Sequence, residues 1–365
     1  MGIHHLKLKD GAEINLQIWI MIICFLIGIL IIPLVRKFAF YINAVDEPRE
    51  RHIHTKITPT LGGLAIFFAF TVGMLLLAVD KSGFLPVYIG AVIIVMTGFI
   101  DDIIELSPRW KLVGQISAAL CVVLWGQITI EFINIPFMGP LYFGAWAIPI
   151  TLIWIVAIVN ALNLIDGLDG LAGGVSIIAL LTIAGMALLL QDIFVAPVAF
   201  MLIACILAFL VYNFPPATIF MGDTGSLFLG YMIAVLSLMG FKNVTFISIL
   251  VPLIILGVPL SDTFFAIVRR LKARTPISMA DRSHIHHRLM ALGFSQRQTV
   301  LLIYCMAILF SITGFVFSFS TTWGAVILLV LLALCIEVIV EFIGLIGENH
   351  RPILNILSKI RRKRP

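Results

Sequence analysis

Residues 160–174 read NALNLIDGLDGLAGG and follow directly on the apolar run IPITLIWIVAIV at 148–159. A membrane span that ends in two Asn and two Asp is unusual, because ionisable groups at membrane depth are costly and mark function. Asn160, Asn163, Asp166 and Asp169 recur every third residue, so on an ideal helix, at about 100° per residue, they spiral rather than align. Gly167 and Gly170 disfavour an uninterrupted helix past Asp166. The segment is therefore expected to unwind there and turn its polar side chains into one cavity, since non-helical backbone at that depth must line protein or water. For Asn160 a hydrogen bond between helices is an equally good reading.

Working outward, the chain of 365 residues is 61% hydrophobic and 12% charged, with a mean hydropathy of +1.13. This excludes a water-soluble globule and gives no basic groove for nucleic acid; it describes a polytopic, all-α membrane protein. Runs long enough to cross a roughly 30 Å hydrocarbon core lie at 17–40, 59–79, 85–101, 111–128, 147–166, 172–191, 193–213, 226–241, 245–270, 299–319 and 322–345, eleven candidate helices. An exterior N-terminus leaves 20 of the 24 Lys and Arg in interior segments, as the positive-inside rule requires. The expected organisation is an exterior tail at 1–16, a transmembrane body at 17–345 and a basic cytoplasmic tail at 346–365. The first run lacks a cleavage pattern and reads as a retained anchor. Five cysteines, all within expected spans and with no C-x-x-C pair, read as small apolar packers.

Sorting the polar residues by side locates the chemistry. GFIDDIIELSPRWK (98–111) puts Asp101 and Asp102 at the end of a span, where the helix dipole disfavours acidic groups. Adjacent residues point about 100° apart, so one can face a cation and the other a substrate. YNFPPATIFMGDTGSLFLG (212–230) ends a span at Asn213, stops it with Pro215 and Pro216, and carries Asp223 just before Thr224–Gly225–Ser226. That pattern reads as a divalent-cation site or as a simple helix cap. DEPRERHIHTKITPTLGGLAIF (46–67) offers Lys56, Thr60, Gly62 and Gly63 as an anion-binding mouth. RRLKARTPISMADRSHIHHRLMALG (269–293) brings His284, His286 and His287 beside Arg288, a set better suited to a pyrophosphate than to zinc. All five of Asp101, Asp102, Asp166, Asp169 and Asp223 fall at interior ends. Asp262, in GVPLSDTFFAIV (257–268), is the exception and sits well inside a run.

The Asp pair, the N-x-x-N-x-x-D-G-x-D-G-L-A-x-G run, F-M-G-D-T-G-S and H-I-H-H, in this order, resemble the polyprenyl-phosphate N-acetylhexosamine-1-phosphate transferases over roughly residues 17–345. The H-I-H-H form is similar to the branch that uses UDP-N-acetylglucosamine, which includes Gram-positive enzymes that start wall teichoic acid linkage units. The resemblance implies a bacterial plasma-membrane enzyme whose cytoplasmic site transfers GlcNAc-1-phosphate from UDP-GlcNAc to undecaprenyl phosphate, releasing UMP, with Mg2+ or Mn2+ as cofactor. It implies Asp101 and Asp102 as catalytic residues, Asp223 as metal ligand and Asp102 as a second one. Asn163, Asp166, Asp169, Asn213, Phe220, His284, His286, His287 and Arg288 would hold the nucleotide sugar, with Phe220 stacked on uracil. Lys56, Thr60, Gly62 and Gly63 match the family pattern loosely, as a lipid-phosphate site. Beyond the bilayer and these two substrates no nucleic acid partner is expected, and a homodimer is left open. The muramoyl-pentapeptide branch is the nearest alternative function. A transporter, which would hold polar residues near the bilayer midplane, is the alternative from another class.

Overall fold

The computed structural model describes residues 2–46, 57–77, 82–135, 138–240, 250–272, 274 and 284–344. Lys56 and the basic tail lie outside the described residues. Thirteen helices follow in chain order among the described residues: α1 (Gly2–Tyr41), α2 (Gly62–Leu76), α3 (Leu85–Ile104), α4 (Pro108–Leu120), α5 (Ala147–Ile165), α6 (Leu171–Leu189), α7 (Val195–Asn213), α8 (Gly222–Gly240), α9 (Leu250–Ile255), α10 (Gly257–Lys272), α11 (Ile285–Ala291), α12 (Gln296–Ser318) and α13 (Thr322–Ile343).

Eight of the eleven expected runs form helices that are long and apolar enough to cross a bilayer. The other three are built differently. The run at 59–79 yields only the 15 residues of α2. The run at 111–128 is entered early, at Pro108, and passes from α4 into a π-helical turn at Cys121–Trp125. The run at 245–270 is not one helix, because its described part is split at Leu256 into α9 and α10. The fold is mostly helical, as expected, with two short antiparallel ladders in its connections: β1 (Val45–Asp46) pairs with β2 (Thr58–Pro59), and β3 (Phe132–Ile135) with β4 (Gly139–Tyr142). Both ladders are short connections that hydropathy cannot register. All five cysteines are free.

Helix α8 is the axle. It is buried along nearly its whole length and packs against α2, α3, α5 and α6. Where lipid is as apolar as the side chains, such packing depends on small residues that let backbones approach. Gly63 of α2 and Gly225 of α8 lie so close that a Cβ on Gly63 would collide with the Gly225 backbone. Around this bundle, α1 packs on α2 and α7, while α6 packs on α7 and α12. The result gathers the C-terminal ends of α3 and α5 and the N-terminal ends of α2, α4 and α8 at one end of the molecule, where the site is built.

Candidate active site

A cavity of about 510 Å³ opens at this end. It is lined by Asp101, Asp102, Asp166, Asp169 and Asp223, together with Thr60, Asn163, Asn213, Phe220 and His287, among others. The five carboxylates brought together by the sequence reading thus share one wall, and each has a distinct local reason to be there.

The break after α5 falls where the glycines predict. The helix stops at Ile165, Asp166 caps it, and Gly170, at φ +77°, opens α6. Burial, and then the charges of Asp223, Asp102 and Asp169, push the Asp166 carboxyl well above the usual carboxylate range. Asp169 accepts the Ala217 N–H at 2.9 Å. Asn160 turns away: it donates to Gln115 at 2.7 Å and to the Val156 carbonyl at 2.8 Å, so it ties α5 to α4 as a structural hydrogen bond.

The adjacent pair on α3 diverges. Asp101 accepts the Leu106 N–H at 2.7 Å and meets the Lys111 ammonium at 2.7 Å. Asp102 instead accepts the N–H groups of Asp223 and Thr224 at 2.8 and 3.0 Å and the Thr224 hydroxyl at 2.6 Å. It therefore caps α8 from another helix, satisfying donors that a helix start leaves open. Gly222, at φ +71°, is needed for this approach, since a Cβ there would meet the Thr60 carbonyl and the Asp102 carboxylate. Because Asp102 takes the cap, the side chain of Asp223 is released into the cavity. It receives Lys111 Nζ at 2.6 Å and Asn163 Nδ2 at 2.9 Å, and Asn163 also donates to Ser226 at 2.9 Å.

Lys111 is the residue that the sequence reading missed, having counted it only as an orientation charge. It bridges Asp101 and Asp223. The available signal was its place in PRWK, one turn into the helix after the Asp pair.

Several expected ligand contacts are replaced by structural ones. The Gly62 and Gly63 amides donate to the carbonyls of Phe220 and Met221 at 2.9 and 2.8 Å. They are satisfied as backbone pairs and offer no donor to an anion. Thr60 lines the cavity while bonding the Ala44 carbonyl. Asn213 reaches the wall, yet its amide is spent on the Gly170 N–H at 2.8 Å and the Ile219 carbonyl at 2.9 Å, bracing the two loops. Of the three histidines only His287 lines the cavity. His284 bonds Asp262. His286 is buried against Gly167, and this burial, followed by the nearby His287 charge, pushes its imidazole down to about 3. Its ring is not among the residues that line the cavity. Arg288, on α11, is not among the cavity residues.

For a metal, the donors are of the right kind, since hard divalent cations take carboxylate oxygens. Among the described residues no group of three or more His, Cys, Asp or Glu is preassembled as a cage. The fit instead rests on charge: Asp46, Asp101, Asp102, Glu105, Asp166, Asp169 and Asp223 all line the cavity, and the Lys111 ammonium lies between Asp101 and Asp223.

Comparison with known proteins finds relatives along most of the chain. Residues 84–241, which contain α3 to α8, match the family model "Glycosyl transferase family 4". The chain is 44% identical over 345 residues, 94% of its length and 96% of the relative's, to a Bacillus subtilis (strain 168) protein named "Probable undecaprenyl-phosphate N-acetylglucosaminyl 1-phosphate transferase". It is 33% identical to the decaprenyl-phosphate N-acetylglucosaminephosphotransferase of Mycobacterium tuberculosis over 74% of each chain. It is 31% identical to the phospho-N-acetylmuramoyl-pentapeptide-transferase of Clostridium botulinum over 80% of this chain and 91% of that one. The family match over the segment that carries Asp101, Asp102, Asp166, Asp169 and Asp223, and identity sustained across nearly the whole chain, make this protein a member of the polyprenyl-phosphate N-acetylhexosamine-1-phosphate transferases.

Proposed function

We propose that this enzyme transfers GlcNAc-1-phosphate from UDP-GlcNAc to undecaprenyl phosphate, giving undecaprenyl-pyrophosphate-GlcNAc and UMP, as the first membrane step of a cell-envelope glycopolymer such as wall teichoic acid. A phosphate oxygen of the lipid forms a bond to the sugar-bearing phosphorus. The bond from that phosphorus to the bridging oxygen breaks, and its electron pair leaves on UMP. The observation that carries this reading is the carboxylate-lined cavity, with Lys111 bridging Asp101 and Asp223, placed at helix ends where a lipid headgroup and a nucleotide can meet. The degree of identity to the acetylglucosaminyl relative over that to the muramoyl one favours UDP-GlcNAc as donor.

Phosphoryl transfer asks mainly for positioning and charge neutralisation. Asp223, oriented by Asn163, is the residue that would hold Mg2+, which supplies charge neutralisation to the donor pyrophosphate when bound; Asp102, expected as a second ligand, has both oxygens committed to the α8 start. Lys111 holds Asp101 and Asp223 at a fixed separation and offsets their charge. Asp101 orients the acceptor, Asp102 fixes the α8 start from which Asp223 projects, and Phe220, Asp169 and His287 border the donor.

The same end of the molecule is assigned to the cytoplasm, and the crossings to eleven. Both α3 and α5 run toward the cavity, so the chain must return between them through α4 and its π turn, whose 18 residues, Pro108–Trp125, span about 27 Å at a rise of ~1.5 Å each. By the same parity α2 and the α9–α10 pair cross as well. The test is UMP release from purified protein with undecaprenyl phosphate, Mg2+ and either UDP-GlcNAc or UDP-MurNAc-pentapeptide. UDP-GlcNAc should be turned over and the pentapeptide donor not; equal rates would overturn the donor assignment. Asp223→Asn should lower the rate by on the order of 10³-fold in folded protein, and near-normal Mg2+ dependence in that variant would move the cation site elsewhere.

A further inference from the structure

We propose that Asp262 is a positioning residue for the transfer reaction: through His284 and Ile285 it anchors α11 and so holds His287 on the cavity wall. Asp262 lies on α10, apart from the cavity carboxylates, and is 2% exposed. A carboxylate buried so completely is stable only when its oxygens are bonded, and both are. Oδ1 accepts the Ile285 N–H at 3.0 Å, and Oδ2 lies 3.0 Å from His284 Nδ1.

Ile285 is the first residue of α11, and its N–H is one that the helix itself cannot satisfy. His284, in the cap position, gives no side-chain cap. A carboxylate 23 residues upstream therefore closes a helix of only seven residues, far shorter than the ~12 residues at which an isolated helix becomes even marginal in water. The pairing also fixes the ring of His284: with Nδ1–H given to Asp262, that ring cannot turn without losing its partner.

From this anchor the contacts run in sequence to the site. The His284 and His286 rings are parallel, with centroids 5.9 Å apart and planes 2° apart. His286 sits over Gly167 in the loop between α5 and α6, where a Cβ would reach its Nε2 at 2.6 Å. The His287 ring lies 4.2 Å from that of His286 and borders the cavity. Asp262 thus joins α10 to the same loop that presents Asp166 and Asp169, with α11 as the intermediate.

The inference rests on the proposed reaction, and one arm of its test does not. In the full-length protein, UMP release is measured for Asp262→Asn, His284→Gln, His287→Ala and the double variant Asp262→Asn/His287→Ala. Asp262→Asn is expected to raise the donor KM on the order of 10-fold, leaving the lipid KM and the Mg2+ requirement unchanged, and His284→Gln should move the donor KM in the same direction. The double variant should be no worse than His287→Ala, because residues that act as a unit are non-additive. An unchanged donor KM in Asp262→Asn, or additive losses in the double variant, would overturn the proposal. If Asp262→Asn does not fold, the pair His284→Gln and His287→Ala is compared in the same way. The second arm needs no turnover: diethyl pyrocarbonate modification read by mass spectrometry should find His286 protected in the wild type and modified in His284→Gln and Asp262→Asn. Equal protection in all of them would show that Asp262 does not hold α11 in place. Wild-type protein that releases no UMP from UDP-GlcNAc would instead refute the proposed function, and the modification arm would still decide the role of Asp262.

Discussion

Lys111 stands between Asp101 and Asp223 at 2.7 and 2.6 Å, and without it two carboxylates on different helices would face one another across a partly dry cavity. Lys111→Met is expected to lower turnover by on the order of 10²-fold, with folded yield reduced less than activity; size-exclusion profiles and UMP release read the two separately. His286 supplies a different kind of prediction. Its folded-state value of about 3 lies below the ~6.5 of an unperturbed imidazole, so the unfolded chain binds the extra proton between those limits. Stability from this group is therefore full above about pH 6.5 and is lost as pH falls toward 3, at up to ~1.4 kcal/mol per pH unit. Thermal unfolding of wild type and His286→Asn from pH 7 downward should give a shallower decline for the variant, and parallel curves would refute the assignment. Beyond the place of Lys111 one turn into the helix after the Asp pair, the sequence carries no signal for either role. The Lys111 partners come from different helices, and His286 differs from its neighbour His287 only in which face of a short helix it occupies.

At the scale of elements, the start of α8 is the junction that matters. Its first N–H groups are satisfied by Asp102 of α3, and its approach to α2 is permitted by the Gly63–Gly225 contact. Sequence reading placed a helix start near Asp223 and weighed that residue as its own cap or as a metal ligand. The structure assigns the cap to Asp102 across 121 positions, which leaves the Asp223 side chain free to turn toward Lys111. Asp102→Asn keeps the shape but loses the charge-assisted acceptors. It should destabilise the fold by about 1–3 kcal/mol and reduce activity by displacing Asp223. A variant with wild-type melting temperature and wild-type rate would refute the capping role.

For the whole molecule, the elements gathered around one cavity have alternate helices running in opposite directions, and this is the basis for the eleven crossings proposed above, although among the described residues eight helices meet the length and apolarity of a span. The short α2 and the broken α9–α10 pair are tolerated because protein rather than lipid surrounds much of them. In a cysteine-free background, a membrane-impermeant thiol reagent applied to intact cells should label a cysteine at Met138, exposed beside the β3–β4 ladder, and not one at Leu292, exposed just after α11. Labelling at 292 from outside would invert the orientation and the placement of the site.

By itself the sequence determined that the chain lives in a membrane, where most of its helices lie, that α5 must break beyond Asp166, and that five carboxylates share one rim. These follow from local properties: the apolarity of continuous runs, the propensities of Gly and Pro, and the cost of charge in hydrocarbon. Only the tertiary structure decided which carboxylate caps and which faces the cavity, that Gly62, Gly63 and Asn213 spend their polar groups on the fold, and that His287 alone of its cluster borders the site. Those outcomes depend mostly on hydrogen-bond partners far away in the chain, Phe220 for Gly62 and Asp102 for the start of α8, and a donor or acceptor is committed only when packing brings its partner within reach.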